Sequence, residues 1–288
     1  MKRLYILGLM LLIILNVTFC SHQNNDKLPA SPHKDTQKQS FANIDDAVSM
    51  AIKDQSTFYA SGETATEGHI ILDTKEKDGT VKVYTIASYG AFGFENGIFT
   101  KISGSGAIPT VITFSQDENG QFSLLEYQEP MDGSGYTDSI KKMFPSSLHN
   151  RVFSAHDDYA ALTRQQETQA EEYLRSIGRT AEVRAAHVKK QMVDINVEAK
   201  NKLFAEYTKY DPFLNDCPYW LGTREKVENG IRYIYETSQG KTSDGFDLIF
   251  FQKKKEDGTV VEEYKYKIVG SEPQLITGEG EANEENDT

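Results

Sequence analysis

The stretch LDTKEKDGTVKVYT, residues 72–85, runs through an Asp-Gly pair into an alternating segment. Asp-Gly between two β-rich runs is typical of a tight hairpin, because both central turn residues must accept a positive φ. A similar stretch, LGTREKVENGIRYIYE, occupies residues 221–236 and turns at Asn-Gly. Both read Leu-x-Thr, a basic residue, Glu-Lys and then a turn glycine. The shared pattern predicts two β-hairpins of common origin.

Each of these hairpins is followed by another. TVITFSQDENGQFSLLEY, residues 110–127, turns at Asn119-Gly120, and DLIFFQKKKEDGTVVEEYKY, residues 247–266, turns at Asp257-Gly258. Two hairpins in succession make a four-stranded antiparallel meander, so the chain is predicted to contain two meanders. Turn chemistry alone recurs by chance, but the matched order of the whole units favours an internal duplication.

A helix is predicted before each meander. The apolar residues of both helices fall at helical spacing, and Asn43 or Asp45 can cap the first helix. They are Ile44, Ala47, Val48, Ala51 and Ile52 in the first helix, and Ile195, Val197, Leu203, Phe204 and Tyr207 in the second. The predicted fold class is therefore α+β: two tandem units, residues 41–130 and 196–271, each with one helix and a four-stranded meander. This is the plan of cystatin-like and nuclear-transport-factor-like folds.

Residues 131–195 are predicted to form a helical connector between the units. A short helix begins near TDSIKKMF, residues 137–144, and a longer one covers DDYAALTRQQETQAEEYLRSIG, residues 157–178. The longer helix is expected to end at Gly178, a common C-terminal cap residue. Its apolar face is predicted from the helical spacing of five residues. These are Tyr159, Leu162, Tyr173, Leu174 and Ile177.

The N-terminus has the pattern of an export signal. Lys2 and Arg3 precede an apolar run, Leu4 to Leu15, that is shorter than the roughly 20 residues of a spanning helix. The run stops near Cys20, which predicts a signal peptide over residues 1–19 and lipidation of Cys20. Phe19 is larger than the residue that usually precedes a lipidated cysteine. An ordinary secretory signal or an uncleaved anchor therefore remains the alternative.

The segments at both ends of the folded region are polar. Residues 20–40 are rich in Ser, Gln, Asn, Lys and Pro, which predicts a flexible tether, and residues 272–288 are predicted to be a disordered acidic tail. Together with the signal, the tether predicts a lipoprotein at the outer face of the cytoplasmic membrane. The membrane is then reached through the N-terminal anchor.

Charge and cysteine content exclude several functions. The formal net charge of −12 makes the chain a poor partner for nucleic acid or for an anionic lipid surface, which basic clusters would recognise. If Cys20 carries lipid, Cys217 has no partner for a disulfide. Cys217 lies among aromatic residues and is expected to be packed rather than reactive.

One insertion distinguishes the first unit from the second. Residues 88–106, SYGAFGFENGIFTKISGSG, place aromatic side chains among glycines, as a ligand-binding or partner-binding loop would. The candidate binding residues are Tyr89, Phe92, Phe94 and Phe99. The alternative, which we favour, is that GIFTKIS is another strand and that these aromatics belong to the core.

Few sequence patterns point to catalysis. Ser139 and Lys142 match the Ser-x-x-Lys pattern of serine acyl-transferases, and Lys241-Thr-Ser resembles their later lysine strand. Neither His-Glu-x-x-His spacing nor a calcium-loop pattern is present, so no metal or cofactor is expected. The favoured function is a non-catalytic binding or sensory module for a protein or cell-envelope ligand. The competing hypothesis is an extracytoplasmic hydrolase or acyl-transferase that uses Ser139 and Lys142.

Four strings carry a resemblance to a known family. They are EGHIILDTKEK, VYTIASYGAFGFENGIFTKISGSGAIPTVITF, DSIKKMFP and YWLGTREKVENGIRYIYET. The chain resembles, over nearly all of residues 43–270, the extracytoplasmic C-terminal region of some BlaR/MecR-like membrane metallopeptidases of Gram-positive bacteria. The resemblance implies a domain displayed outside the membrane and connected with signalling. The membrane bundle and zinc motif of the family are not found in this sequence, so no peptidase activity is implied.

Overall fold

The computed structural model describes residues 40–55, 59–186 and 188–276. Over these residues the protein is an α+β fold, with helices packed on an antiparallel sheet. The predicted signal peptide, Cys20 and nearly all of the predicted tether lie outside the described residues. Within them, no helix is both long enough and apolar enough to cross a bilayer.

Six α-helices and twelve strands are present in the described part of the chain. The helices are α1 (Ile44–Asp54), α2 (Tyr136–Met143), α3 (His149–Phe153), α4 (Tyr159–Ser176), α5 (Val197–Asn201) and α6 (Pro212–Asp216). The strands are β1 (Thr64–Lys77), β2 (Thr80–Glu95), β3 (Ile98–Gly104), β4 (Ile108–Gln116), β5 (Phe122–Gln128), β6 (Val183–Arg184), β7 (Gln191–Met192), β8 (Trp220–Glu228), β9 (Ile231–Lys241), β10 (Asp247–Lys255), β11 (Val260–Val269) and β12 (Glu272–Ile276).

The first meander is organised around the long strand β2. β1 pairs with β2 along one edge, while β4 and then β3 pair with successive parts of the opposite edge. β5 pairs with the outer edge of β4. The predicted Asp78-Gly79 turn is confirmed, and an Asn96-Gly97 turn joins β2 to β3, with all four residues at positive φ. The insertion therefore extends the meander and does not form a separate loop.

The second meander has five strands, one more than predicted. β8, β9, β10, β11 and β12 each pair antiparallel with the next. The prediction that disorder begins at residue 272 is wrong for Glu272–Ile276. Gly270, at a φ of 61°, turns the chain back onto β11, and Pro273 is buried on this edge strand, where its missing N–H costs no ladder bond. The remainder of the predicted tail lies outside the described residues.

The first meander is covered on both faces. α1 begins at its predicted cap, since Asn43 Oδ1 accepts a hydrogen bond from Asp45 N at 3.0 Å. α1 packs against one face of β2, which includes Val83, whereas Tyr84 and the following even-numbered residues face α2 and α4. Successive residues of a strand point to opposite faces, so a strand covered on both sides is buried throughout.

The helix before the second meander differs from the prediction. α5 has only five residues and continues through a π turn and a 3-10 turn before α6. Asn196 caps α5, so Val197 is its first residue and is 71% exposed. Ala199 and Leu203, four residues apart, supply the buried face instead. The predicted burial of Leu203 is confirmed and that of Val197 is wrong.

The long connector helix α4 has a partly polar inner face. Leu162 and Leu174 are buried as predicted, whereas Tyr159 and Ile177 are exposed. Gln166 is fully buried, where its Nε2 donates to Ser88 Oγ at 2.8 Å. Such a side chain can enter a core because its polar atoms find partners. The expected glycine cap at residue 178 is confirmed by its φ of 69°.

Two further glutamines of α4 cover the outer edge of β1. Gln169 accepts from Glu67 N at 3.2 Å and donates to Glu67 O at 2.9 Å. Gln165 does the same for His69, at 3.0 and 3.1 Å. Each side-chain amide thus makes the pair of backbone hydrogen bonds that a residue of a neighbouring strand would make with β1. This protects an edge that would otherwise expose unpaired backbone groups.

A buried ionic network joins the two meanders. Arg232 of β9 donates to both carboxylate oxygens of Glu63 at 2.6 Å and to Glu225 of β8 at 3.0 Å. Arg179, just after α4, also pairs with Glu225, and both arginines lie over the ring of Phe94 of β2. Arg232, Glu63 and Glu225 are each at most 11% exposed at the side chain. One cation thus neutralises carboxylates from both meanders.

A strained position lies beside this network. Asn96 Oδ1 accepts from Thr223 N at 2.8 Å, and Asn96 N donates to Thr223 O at 3.0 Å. Gly222, the residue before Thr223, has a φ of 144°, and a Cβ at this position would lie 2.0 Å from Asn96 Oδ1. Only glycine permits this approach of the two meanders.

Replacement of Arg232 by alanine is expected to destabilise the protein strongly. Glu63 and Glu225 would then be buried without their main cation, and breaking such a network costs about 3–5 kcal/mol. Arg175→Ala is the matched control, because Arg175 makes a single exposed contact with Glu171 at 3.9 Å and should cost about 0.5 kcal/mol or less. Urea unfolding followed by circular dichroism measures both. Equal stability of the two variants would contradict the role of the network.

Candidate functional site

The aromatic residues of the insertion lie in the core. Tyr89 is 5% exposed, and Phe92, Phe94 and Phe99 are 2% exposed or less. Phe92 and Phe94 face α4 with Phe99, whereas Tyr89 belongs to the cluster under α1. The favoured alternative, an additional strand with core aromatics, is therefore confirmed. These side chains do not offer a contact surface.

Ser139 and Lys142 do not form a reactive pair. Ser139 Oγ donates to Tyr136 O at 2.8 Å, and accepts from Met131 N at 3.0 Å. Lys142 is exposed one turn later in α2. Lys241 is paired with Asp247 at 2.9 Å. The Ser139 hydroxyl therefore joins the first turn of α2 to the segment before it, and its proton is donated to a backbone carbonyl.

A cleft of about 580 Å³ lies between α6 and the second meander. This volume falls in the range of small-molecule and peptide-side-chain sites. Its lining combines aromatic rings with charged groups from the helix and from β8 to β11. The lining residues are Tyr210, Asp211, Pro212, Phe213, Asp216, Lys226, Glu228, Tyr235, Lys253, Glu262 and Tyr264.

Three polar groups at the floor of the cleft hold one another in place. Lys253 Nζ lies 2.7 Å from Glu228 Oε2, and the Tyr235 hydroxyl donates to Glu228 Oε1. Burial and the neighbouring Glu228 raise the pKa of Tyr235. Burial opposes the charge of Lys253, but its hydrogen bond to Glu228 outweighs that effect and raises its pKa. Tyr235 thus remains neutral and Lys253 charged around neutral pH.

Helix α6 forms the opposite wall. Asp211 caps it by accepting from Phe213 N at 2.9 Å and from Leu214 N at 3.2 Å, and Pro212 occupies its first position. The Asp-Pro pair was the sequence signal for this helix, which the periodicity argument missed. Phe213 meets the Tyr264 ring edge-on at 5.0 Å. The wall is therefore tied to β11 by aromatic packing.

Two lining residues remain available to a ligand. Tyr210, at the rim, is 86% exposed. The carboxylate of Glu262, on β11, makes no hydrogen bond or ion pair with any described residue. By contrast, Asp216 is paired with Lys226 at 2.7 Å. The cleft thus presents an aromatic ring and an uncommitted carboxylate beside a fixed set of ion pairs.

Cys217 follows α6 but does not act in the cleft. It is 5% exposed, which confirms the expectation that it is packed. Burial, with the nearby carboxylates, raises the pKa of its thiol, so the nucleophilic thiolate is disfavoured.

A second polar cluster lies between α1 and β1, with His69 and Glu67 buried and only the side chain of Asp45, 67% exposed, reaching solvent. His69 Nδ1 lies 2.9 Å from Glu67 Oε2, and its Nε2 lies 3.2 Å from Asp45 Oδ1. The side chains of His69 and Glu67 are only 7% and 3% exposed. Both ring nitrogens are occupied, so this acid–base pair joins the helix to the sheet and leaves no face for a substrate.

Comparisons with protein-family models, with curated proteins and with solved structures gave no significant match for the chain. Among the described residues, no group of three or more His, Cys, Asp or Glu side chains could hold a metal ion. The geometry of the cleft is therefore the feature that points to a function.

The His69 cluster makes stability depend on pH. Burial lowers the pKa of His69, but Glu67 and Asp45 more than offset this and raise it above its ordinary value of 6.5. Its contribution to stability is therefore fully present below pH 6.5 and is lost as the pH rises through the folded-state pKa. We expect the difference in unfolding free energy between wild type and His69→Gln to shrink from pH 6 to pH 9. Urea titrations at several pH values measure it.

The control for this effect is His156→Gln. His156 is 80% exposed at the side chain and contacts only the exposed Asp157. Its replacement should give a smaller difference that varies little over the same pH interval. A constant difference for His69→Gln would contradict the proposed link between the imidazolium and its carboxylates.

Proposed function

We propose that the protein is a non-catalytic binding module that is exported and tethered to the outer face of the cytoplasmic membrane. The observation that carries the binding part is the cleft between α6 and the second meander. Its walls are fixed by internal hydrogen bonds and ion pairs, while Tyr210 and Glu262 remain available. Preformed clefts with a few free polar groups and aromatic surface are the usual form of a binding site.

The tether part of the proposal rests on the sequence. The apolar run of residues 4–15, the cysteine at position 20 and the polar residues 21–40 support a lipid-anchored protein. The resemblance to the extracytoplasmic region of BlaR/MecR-like metallopeptidases supports the same side of the membrane, with a sensory role. The ligand would then be a protein or a cell-envelope component.

We infer that the protein binds a ligand and does not catalyse acyl transfer. The hydrogen bonds of Ser139 favour a structural role for its hydroxyl. A nucleophile would need an adjacent base in hydrogen-bond reach, and no hydrogen bond joins Lys142 to Ser139.

Duplication of one ancestral unit is part of the proposal. Leu72 lies on β1 and Leu221 on β8, which are the first strands of their meanders. A helical element precedes each meander, α1 in the first and α5 in the second. These correspondences support a common origin, after which the second unit gained β12 and a cleft.

The tether predicts that Cys20 accepts a lipid. Cells that express the full chain and are fed an alkyne-labelled palmitate should label the wild type and not Cys20→Ala. Cys217→Ala is the matched control, since it removes the other cysteine and should keep the label. Equal labelling of wild type and Cys20→Ala would contradict lipidation of Cys20.

The binding site predicts local protection by its ligand. Solubilised cell-envelope material, added to the full chain in detergent, should slow amide hydrogen exchange in residues 210–217 and 260–264. The edge strand β5 provides the internal control and should be unchanged. Protection confined to the first meander, or no protection at all, would contradict the assignment of the cleft.

A further inference from the structure

We infer that the cleft binds an organic cation, an alkylammonium or guanidinium group carried on an apolar stem. This inference rests on the proposed function, namely that the cleft is the binding site. It adds the chemical class of the ligand, which follows from three features of the cleft: its uncompensated charge, its aromatic surface and the commitment of its lysines.

The uncompensated charges of the lining are both negative. Of its four carboxylates, Asp216 and Glu228 are each paired with a lysine at 2.7 Å. Asp211 and Glu262 have no basic partner among the described residues. Asp211 uses Oδ1 to cap α6, and its carboxylate also hydrogen-bonds the Tyr264 hydroxyl, but neither contact neutralises its charge. A ligand that enters therefore meets two carboxylates without counter-ions.

The lysines of the cleft cannot easily serve an anion. Lys253 is held by Glu228 and lies 4.3 Å from the centre of the Tyr233 ring, and Lys226 is held by Asp216. An anionic ligand would have to displace one of these carboxylates, which would then be left near Asp211 or Glu262 without a cation. Breaking a close ion pair in this way opposes binding.

The aromatic rings supply the second part of the recognition. Tyr210 offers an exposed ring at the rim, and Tyr264, packed on Phe213, lines the interior. A cation is attracted to the face of such rings, and its apolar stem gains by contact with them. Carboxylates beside tyrosines therefore favour an organic cation over a hydrated metal ion, which would seek oxygen ligands alone.

Binding by calorimetry tests the inference with the full chain in detergent. The probes are an acetylated, amidated pentalysine peptide and spermidine, with pentaglutamate as the anionic control. Pentalysine and spermidine distinguish a peptide from a free polyamine as the source of the ammonium group. We expect binding of at least one cationic probe, weakened by salt, and no binding of pentaglutamate.

Two variants locate the binding in the cleft. Glu262→Gln should weaken binding several-fold, whereas Glu263→Gln changes the charge equally on the opposite face of β11 and should leave binding unchanged. Tyr210→Ala should weaken binding about two- to five-fold, the effect of an exposed cation–π contact. Its control is Tyr159→Ala, on the distant helix α4. Near-ultraviolet circular dichroism checks that each variant is folded.

The results separate this inference from the proposed function. Weaker binding in Glu262→Gln but not in Glu263→Gln supports the cationic ligand. Equal effects of the two variants, or no binding of either cation, would overturn it. If envelope material still protects residues 210–217 and 260–264 while neither cation binds, the cleft remains the binding site and only its ligand class is wrong.

Discussion

The position of Arg232 between Glu63 and Glu225 is the constraint on which the rest of the structure depends. A buried guanidinium is costly unless its charge and its donors are matched, and here the match requires both meanders to be in place. The hydrogen bonds of Glu63 raise the pKa of Arg232, so the guanidinium stays charged. Beside it, the direct sheet connection is a single pair, Glu95 with Arg224. The ionic network and the Asn96–Thr223 hydrogen bonds therefore determine together how the two meanders meet.

The same strands carry both the network and the cleft. On β8, Glu225 points to the network while Lys226 and Glu228 point to the cleft, because successive residues face opposite sides. On β9, Arg232 likewise points to the network and Tyr235 to the cleft. A shift of one residue in the pairing of β8 and β9 would move every one of these side chains to the wrong face. The register of β8 and β9 that joins the meanders correctly is thus the same register that forms the cleft.

The sequence predicted the features that depend on neighbouring residues. The Asp78-Gly79 turn, the Asn43 cap and the Gly178 cap all follow from local backbone preferences. A hairpin also forms at Asn119-Gly120, but only the glycine has a positive φ there, so the turn is not the predicted type. The network could not be predicted, because Glu63 and Arg232 are 169 residues apart. The cleft was missed for the same reason, since its lining comes from α6 and four strands. Burial of Gln166 was missed because its partners, Ser88 and Lys101, are visible only in the folded chain.

Rigidity of the cleft follows from the way its polar groups satisfy one another. Glu228 uses one oxygen for Tyr235 and the other for Lys253, and hydrogen bonding to these groups outweighs its burial and lowers its pKa. A carboxylate committed in this way stays in place when a ligand arrives, so little ordering entropy remains to oppose binding. Selection among ligands then depends on the groups that have no partner within the protein. On the proposed function, the internal pairs of this cleft form the scaffold, and Glu262 and Tyr210 determine which ligand is accepted.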